Sequence, residues 1–459
     1  MRAAPAAGAA RITWVWQLLG IWTAVWAAAH VTAYGYSWHY FAEGSRLLFG
    51  GGPGGGLDLY ATHPQLQIGP VTLAAAAPIA ALGPRAGRIA AVLVMTAAGP
   101  LLLNAIWKLL PAKVRSSPWP LLGAGLIFLP VWTELGTHYG HLDDVLALAF
   151  GVAAMHAVAR RRPVLAALLL AAATDAKPWA AGFAAMLLAL PRPTWRRSLP
   201  VLVGAVVLGW LPFLAADPHT LAVTGFTIPN SSASALRALG VSAARTPSWD
   251  RPAQLALGAL LAALAVRRGR WPATILLVTG ARIVLDPSVY PYYTSGLLVG
   301  AVAYDLLAAR HRWPWTTLTG AVTLYVAHCA GYLHILSPHA LGVLRAIFVI
   351  GMALVVLAWP RTDEPGERVR LVRAMRLGMR EPATGPVSRA ASGYPDLPAT
   401  PPGSPVHAPH LPGRPRDPHG TPGGWRYPRK TPDDWRRELL ARPPAAAGSA
   451  HWAEIERAS

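Results

Sequence analysis

The sequence predicts an all-α polytopic membrane protein of about twelve transmembrane helices, with an outer interfacial helix in the first loop. Three observations lead there. Hydrophobic residues make up 53% of the 459 and charged residues only 14%, against about 25% charged in an average soluble domain. The apolar residues collect in successive runs, about half of them long enough for a bilayer. The basic residues collect between alternate runs, as the positive-inside rule requires. That rule also accounts for the net charge of +20, so no nucleic acid is needed as a partner. Cys329, the single cysteine, excludes a disulfide framework and any cysteine-built metal centre.

Residues 1–11 read as a cytoplasmic N-terminus. The first apolar run, 12–33, follows Arg2 and Arg11 and has no small-residue cleavage site, so it reads as an uncleaved anchor. Outer loop 34–87 comes next; it is too polar and glycine-rich to span and long for a loop without a purpose. Within it, residues 64–82 form an apolar helix that either spans or lies in the outer interface, and charge decides. A spanning helix would send Lys108, Lys113 and Arg115 outside, whereas an interfacial one leaves them inside. The remaining spans are then 88–107, 119–133, 142–159, 163–174, 178–190, 199–214, 251–266, 271–286, 293–309, 315–335 and 340–359. Fourteen basic residues fall in the inner loops and six in the longer outer ones, which include 215–250. The protein is thus expected in the cell membrane as a multi-pass chain, residues 12–359, with both termini cytoplasmic. The runs 163–174 and 178–190 are short for a bilayer and broken at TDAKPW, so they are expected to form a helical pair that turns before the far surface. Residues 360–459, basic and rich in Pro and Gly, cannot bury a core and are expected to be a disordered cytoplasmic tail.

The acids carry the functional signal. Of ten acidic residues before the tail, eight fall at the outer surface, Asp175 at the helix break and only Asp305 near the inner face. Chemistry is therefore expected outside. The densest cluster is THYGHLDDVLAL, with His138, Tyr139, His141, Asp143 and Asp144 where one span ends and the next begins. Adjacent carboxylates on a starting helix point roughly 100° apart, so one can cap the helix while the other faces a cavity. With His141 the same pair could hold a divalent metal, the only cofactor the sequence suggests. LDLYATHPQLQIGP brings Asp58, Tyr60, His63, Gln65 and Gln67 to the outer interface, where a plain polar loop would look the same.

Ionisable residues inside spans are costly and so point to function. Lys177 precedes Pro178 at the helix break, Arg282 precedes LDPSVYPYY, and Arg345 lies one to two turns into the last span. Three buried cations beside outward-facing acids suit a ligand with a phosphate at bilayer depth and a reactive group in water. For Arg282 and Arg345 the plainer reading is snorkelling to the interface.

These features together resemble the C-superfamily of glycosyltransferases, in particular the actinobacterial polyprenyl-phosphate mannosyl- and arabinosyltransferase-like group. The features are a long first outer loop ending in LYATHPQLQIGP, the restart GPRAGR, then GHLDDVLAL, DAKPWA and LDPSVYPYYTSG, over residues 12–359. The resemblance implies transfer of a sugar from a polyprenyl-phosphate donor to an acceptor hydroxyl, on an envelope glycan or lipid, at the outer side. The family carries its catalytic acid early in the first outer loop; here Ser37 stands in that place, with Glu43 six residues on. The base then falls to Asp143 or Asp144, with Asp58 as competitor. Lys177 and Arg282, with Arg345, would hold the lipid phosphate, and His63, Gln67, His141, Tyr292 and Tyr293 would line the sugar and acceptor site. The alternative is a transporter or flippase of an anionic lipid or solute, using the same cations around the broken pair. A structural membrane subunit is a third class. Transport should place ionisable residues on both halves of a pathway, and their concentration on one side favours the enzyme.

Overall fold

A computed structural model describes residues 7–358 other than Pro53, Lys113, Phe226 and 310–312. The tail at 360–459 and most of the expected N-terminal segment lie outside the described residues. Among the described residues there is no strand, only one isolated bridge between Pro229 and Arg245, and the chain is all-α. Helix α1 (Ala7–Ala29) is followed in the first loop by α2 (Trp38–Gly50), the short α3 (Leu59–Thr62) and α4 (Pro70–Ala80). Then come α5 (Pro84–Lys108), α6 (Trp119–Thr133), α7 (Leu142–Ala159), α8 (Pro163–Ala176) and α9 (Arg192–Ala216). The rest is α10 (Ala235–Ala238), α11 (Asp250–Arg267), α12 (Thr274–Leu285), α13 (Pro291–Tyr304), α14 (Trp315–Gly320), α15 (Ala327–Tyr332) and α16 (Pro338–Ala358).

Among the described residues six helical stretches are long and apolar enough to cross a membrane: 12–29 within α1, α5, α6 with its continuation to Tyr139, α7, α9 and α16. Their outward faces are apolar too. Only 17% of the α1 window and 11% of the α9 window are buried, and Leu93, Leu208 and Ile347 are more than 60% exposed. A soluble protein would leave about 25 cal/mol for each Å² of such surface uncompensated, whereas lipid accepts it. The other apolar helices are shorter. Helix α4, with 11 residues, reaches about 16 Å, roughly half a bilayer's hydrocarbon core. Its residues Thr72, Leu73 and Ala76 are buried, and it packs on α2, α5 and α8.

Two irregularities separate the helices from ideal rods. The run after Pro178 is a 12-residue 3₁₀ helix, Pro178–Ala189, and π-helical turns occupy Glu134–Tyr139, Asp305–Ala309 and Ala321–Val326. Neither is common, and both gather at functional or strained places.

The ends of the helices sort into two layers. In one, the N–H groups of Gly35, Tyr36 and Ser37 donate in succession to the carbonyls of Thr137, His138 and Tyr139 at 2.6, 3.0 and 2.7 Å. Gly140 ends the π turn with φ 68°, and a Cβ there would lie 2.7 Å from the Gly35 Cα, so both its backbone angle and its neighbour demand glycine. In the opposite layer, the guanidinium groups of Arg268 and Arg270 donate to Leu357 O and Val356 O, the carbonyls at the end of α16, where cations offset the helix dipole. There too Asp305 accepts from the N–H groups of Thr316 and Thr317 at 3.2 and 2.8 Å and caps α14.

Candidate functional site

The first layer holds the chemistry. His141 precedes α7 and Asp143 and Asp144 occupy its first turn, all close to the end of the π turn that the first loop pins in place. Both carboxylates are buried, at 2% and 4% exposure. The Asp143 Oδ1 accepts from the Asp144 N–H at 2.9 Å, the short local bond expected of an acid at a helix start. Lys177, in extended backbone between α8 and the 3₁₀ helix, sends its ammonium group to both acids. It donates to Asp143 Oδ2 and to Asp144 Oδ2, the latter at 3.1 Å. The Trp179 indole donates to the remaining Asp144 oxygen at 3.3 Å.

Extended backbone at Lys177 exposes the end of α8, and its neighbours satisfy what it frees. The Thr72 hydroxyl of α4 donates to Ala176 O at 3.1 Å. Gly69 lets the first loop approach, since a Cβ there would fall 1.9 Å from Asp175 O. Asp175, the carboxylate nearest Lys177 in sequence, turns instead toward Gly209 of α9, where a Cβ would sit 2.7 Å from its Oδ2.

Arg282 and the tyrosines after α12 close the site. The Arg282 guanidinium lies over the Tyr293 ring at 4.0 Å and near the Trp179 ring at 5.1 Å, with its Nε 3.8 Å from Asp286. That Nε has no hydrogen bond. Tyr292 stacks on His141 with ring centroids 3.8 Å apart, and His141 Nε2 lies 3.1 Å from the Ser37 hydroxyl. Asp144, Trp179, Arg282, Tyr292 and Tyr293, with Leu148, Thr279 and Gly296, line one narrow pocket.

No protein-family model matches the chain, and no curated protein or solved structure is similar to it. Its chemistry is therefore read from its own residues.

Seven of the eleven residues singled out from the sequence meet here: His141, Asp143, Asp144, Lys177, Arg282, Tyr292 and Tyr293. Asp58 is exposed and His63 is half-buried, 3.5 Å from the Gln65 amide. Gln67 ties the first loop to two later segments: it donates to Val223 O at 3.2 Å and accepts from Arg251 at 3.2 Å. Arg345 is buried in α16, outside the pocket lining, with Nε and Nη2 lacking hydrogen bonds. As a metal site, the His141, Asp143 and Asp144 atoms lie close enough together, but the Lys177 ammonium bridges the two carboxylates a cation would use. Two contributors were not foreseen. Trp179 carried no charge to mark it, although it follows Lys177-Pro178 directly. Ser37 entered only as a residue out of place, and its partner lies 104 positions away.

Proposed function

We propose that the chain is a membrane glycosyltransferase that moves a sugar from a polyprenyl-phosphate donor to an acceptor hydroxyl on the extracytoplasmic side. In this reading the chain crosses the cell membrane about twelve times, both termini are cytoplasmic, α4 lies in the outer interface, and the acceptor is an envelope glycan or lipid. The observation that carries it is the narrow pocket in which one buried acid, Asp144, shares a wall with a partly buried cation, Arg282, and with three aromatic rings. Of the two acids Asp144 lines that pocket and Asp143 does not, so Asp144 is the base.

The step follows from those positions. The acceptor oxygen bonds to the anomeric carbon while its proton passes to the Asp144 carboxylate. The bond from that carbon to the phosphate oxygen breaks, and the lipid phosphate leaves with the electron pair. Arg282 offers an unused N–H to the growing charge. Lys177 has three donors and spends two on the acids, which leaves one N–H for the phosphate. His141 and Tyr292 form the stacked face at which the sugar is held.

The test is incubation of purified protein in lipid with radiolabelled polyprenyl-phosphate sugars, scored for released lipid phosphate. Release is expected from the wild type, with a loss of about 10²–10⁴-fold in Asp144→Asn and a smaller loss in Asp143→Asn. Asn keeps the shape of Asp and the remaining acid still faces Lys177, so either variant is expected to fold. Full activity in Asp144→Asn would remove the base from the scheme. The α8 and 3₁₀ pair, broken at Lys177, favours transport as the second reading. Movement of the intact lipid-linked sugar between leaflets, with no phosphate released, would select it.

A further inference from the structure

A second cluster, near but distinct from the pocket, has the make-up of a metal site. His30 follows α1 by one residue, and Glu134 and His138 lie in the π turn that continues α6. Four residues apart, Glu134 and His138 face the same side of that turn. His30 Nε2 is 2.9 Å from Glu134 Oε2, His138 Nδ1 is 3.6 Å from Glu134 Oε1, and the three ligand atoms lie within 4.8 Å of one another. The side chains are 11–20% exposed, so the cluster is enclosed yet open to an ion.

The hydrogen bonds around the cluster say how its atoms are prepared. His30 Nδ1 lies 2.8 Å from Trp26 O, and a carbonyl only accepts, so this nitrogen carries the hydrogen. The neutral ring therefore turns the Nε2 lone pair toward a carboxylate oxygen, two acceptors face to face. A proton or a cation must stand between them. A histidine that gives its other N–H to a backbone carbonyl is the usual arrangement of a metal ligand. The carboxylate is oriented in the same way, because the Tyr325 hydroxyl donates to Glu134 Oε2 at 3.3 Å.

We propose that His30, Glu134 and His138 bind a divalent transition metal of the Zn²⁺ class, through two imidazole nitrogens and one carboxylate with a further position open. Nitrogen ligands select such ions over Mg²⁺ and Ca²⁺, which prefer oxygen. The metal fastens the end of α1 to the π turn, the same two segments that the bonds from residues 35–37 to 137–139 join. It therefore holds His141 and the acid pair in place from outside the pocket and takes no part in the glycosyl transfer itself.

The experiment uses the full chain without a histidine tag, stripped with a chelator in detergent and dialysed against Zn²⁺ and, separately, Co²⁺. One equivalent of bound metal is expected by elemental analysis, with a rise in melting temperature. His138→Ala should lose the equivalent and the rise, and His141→Ala should keep both. Should His138→Ala fail to fold, His138→Phe, which keeps a ring beside His30 and Tyr139, is read in its place. Wild type that binds no metal would leave a proton as the bridge and overturn the proposal. So would an equivalent that survives loss of His138, or one that vanishes with His141→Ala.

Discussion

Lys177 does two things that a single substitution separates. Its ammonium group neutralises the buried Asp143 and Asp144, and its backbone ends α8. Lys177→Met keeps the stem and removes the charge, which leaves two adjacent buried carboxylates without a cation. A loss of about 3–5 kcal/mol in stability is expected, as for other buried pairs broken on one side. Adding Asp143→Asn should recover a large part of it in a thermal melt, whereas adding Asp175→Leu should recover nothing, since Asp175 faces Gly209. Rescue by Asp175→Leu would mean that Lys177 pairs within its own segment instead. Lys177 and Arg282 could be singled out from sequence because a charge within an apolar run has to be compensated. Which acid compensates could not, since the Lys177 partners are 33 and 34 residues away and Asp175 is two. The His30 and Glu134 pair was hidden for the same reason: it joins two apolar runs 104 residues apart.

Among the elements, the apolar runs predicted where helices occur but not what kind. The expected 163–174 and 178–190 runs are present as α8 and as the 3₁₀ helix, which hydrophobicity alone does not distinguish. A 3₁₀ helix rises about 2.0 Å per residue against 1.5 Å in an α-helix, so its 12 residues reach about 24 Å instead of 18. A segment short by residue count thereby gains the length of another α-helical turn. The π turns were likewise illegible, because one extra residue in a turn leaves the composition of a run unchanged. The junction of α8 with the first loop depends on Gly69. Gly69→Ala is expected to cost about 1–3 kcal/mol, since the added carbon meets backbone that cannot move aside. Gly204→Ala, in an exposed part of α9 with nothing within 4 Å, should instead be neutral or stabilise by up to about 1 kcal/mol. Equal effects of the two on the melting temperature would show that the loop does not press on α8.

For the whole molecule, four of the acids divide between the two layers of helix ends. Asp143, Asp144 and Asp286 gather with the pocket, and Asp305 caps a helix in the opposite layer. The number of crossings does not follow from helix length, because six stretches meet the standard for spanning and the others are short or carry charges. Labelling decides the orientation. In a Cys329→Ser background, which removes the one native thiol, Ser116→Cys should react only from the cytoplasmic side and Ser248→Cys only from outside. The reverse pattern would turn the molecule over, and with it the side on which the acid pair lies.

The three bonds that hold residues 35–37 to 137–139 also set a clock. A loop of this kind would ordinarily exchange its amide hydrogens quickly, since most such segments open with little free energy. Gly35, Tyr36 and Ser37 have their hydrogens held by carbonyls at 2.6–3.0 Å beside a buried acid pair. Those three amides should exchange far more slowly than Gly51 and Gly52 at the exposed turn further along the same loop. Deuterium uptake by a peptide covering 35–37 would then report whether the acid pair is correctly held, in any variant and with no substrate present.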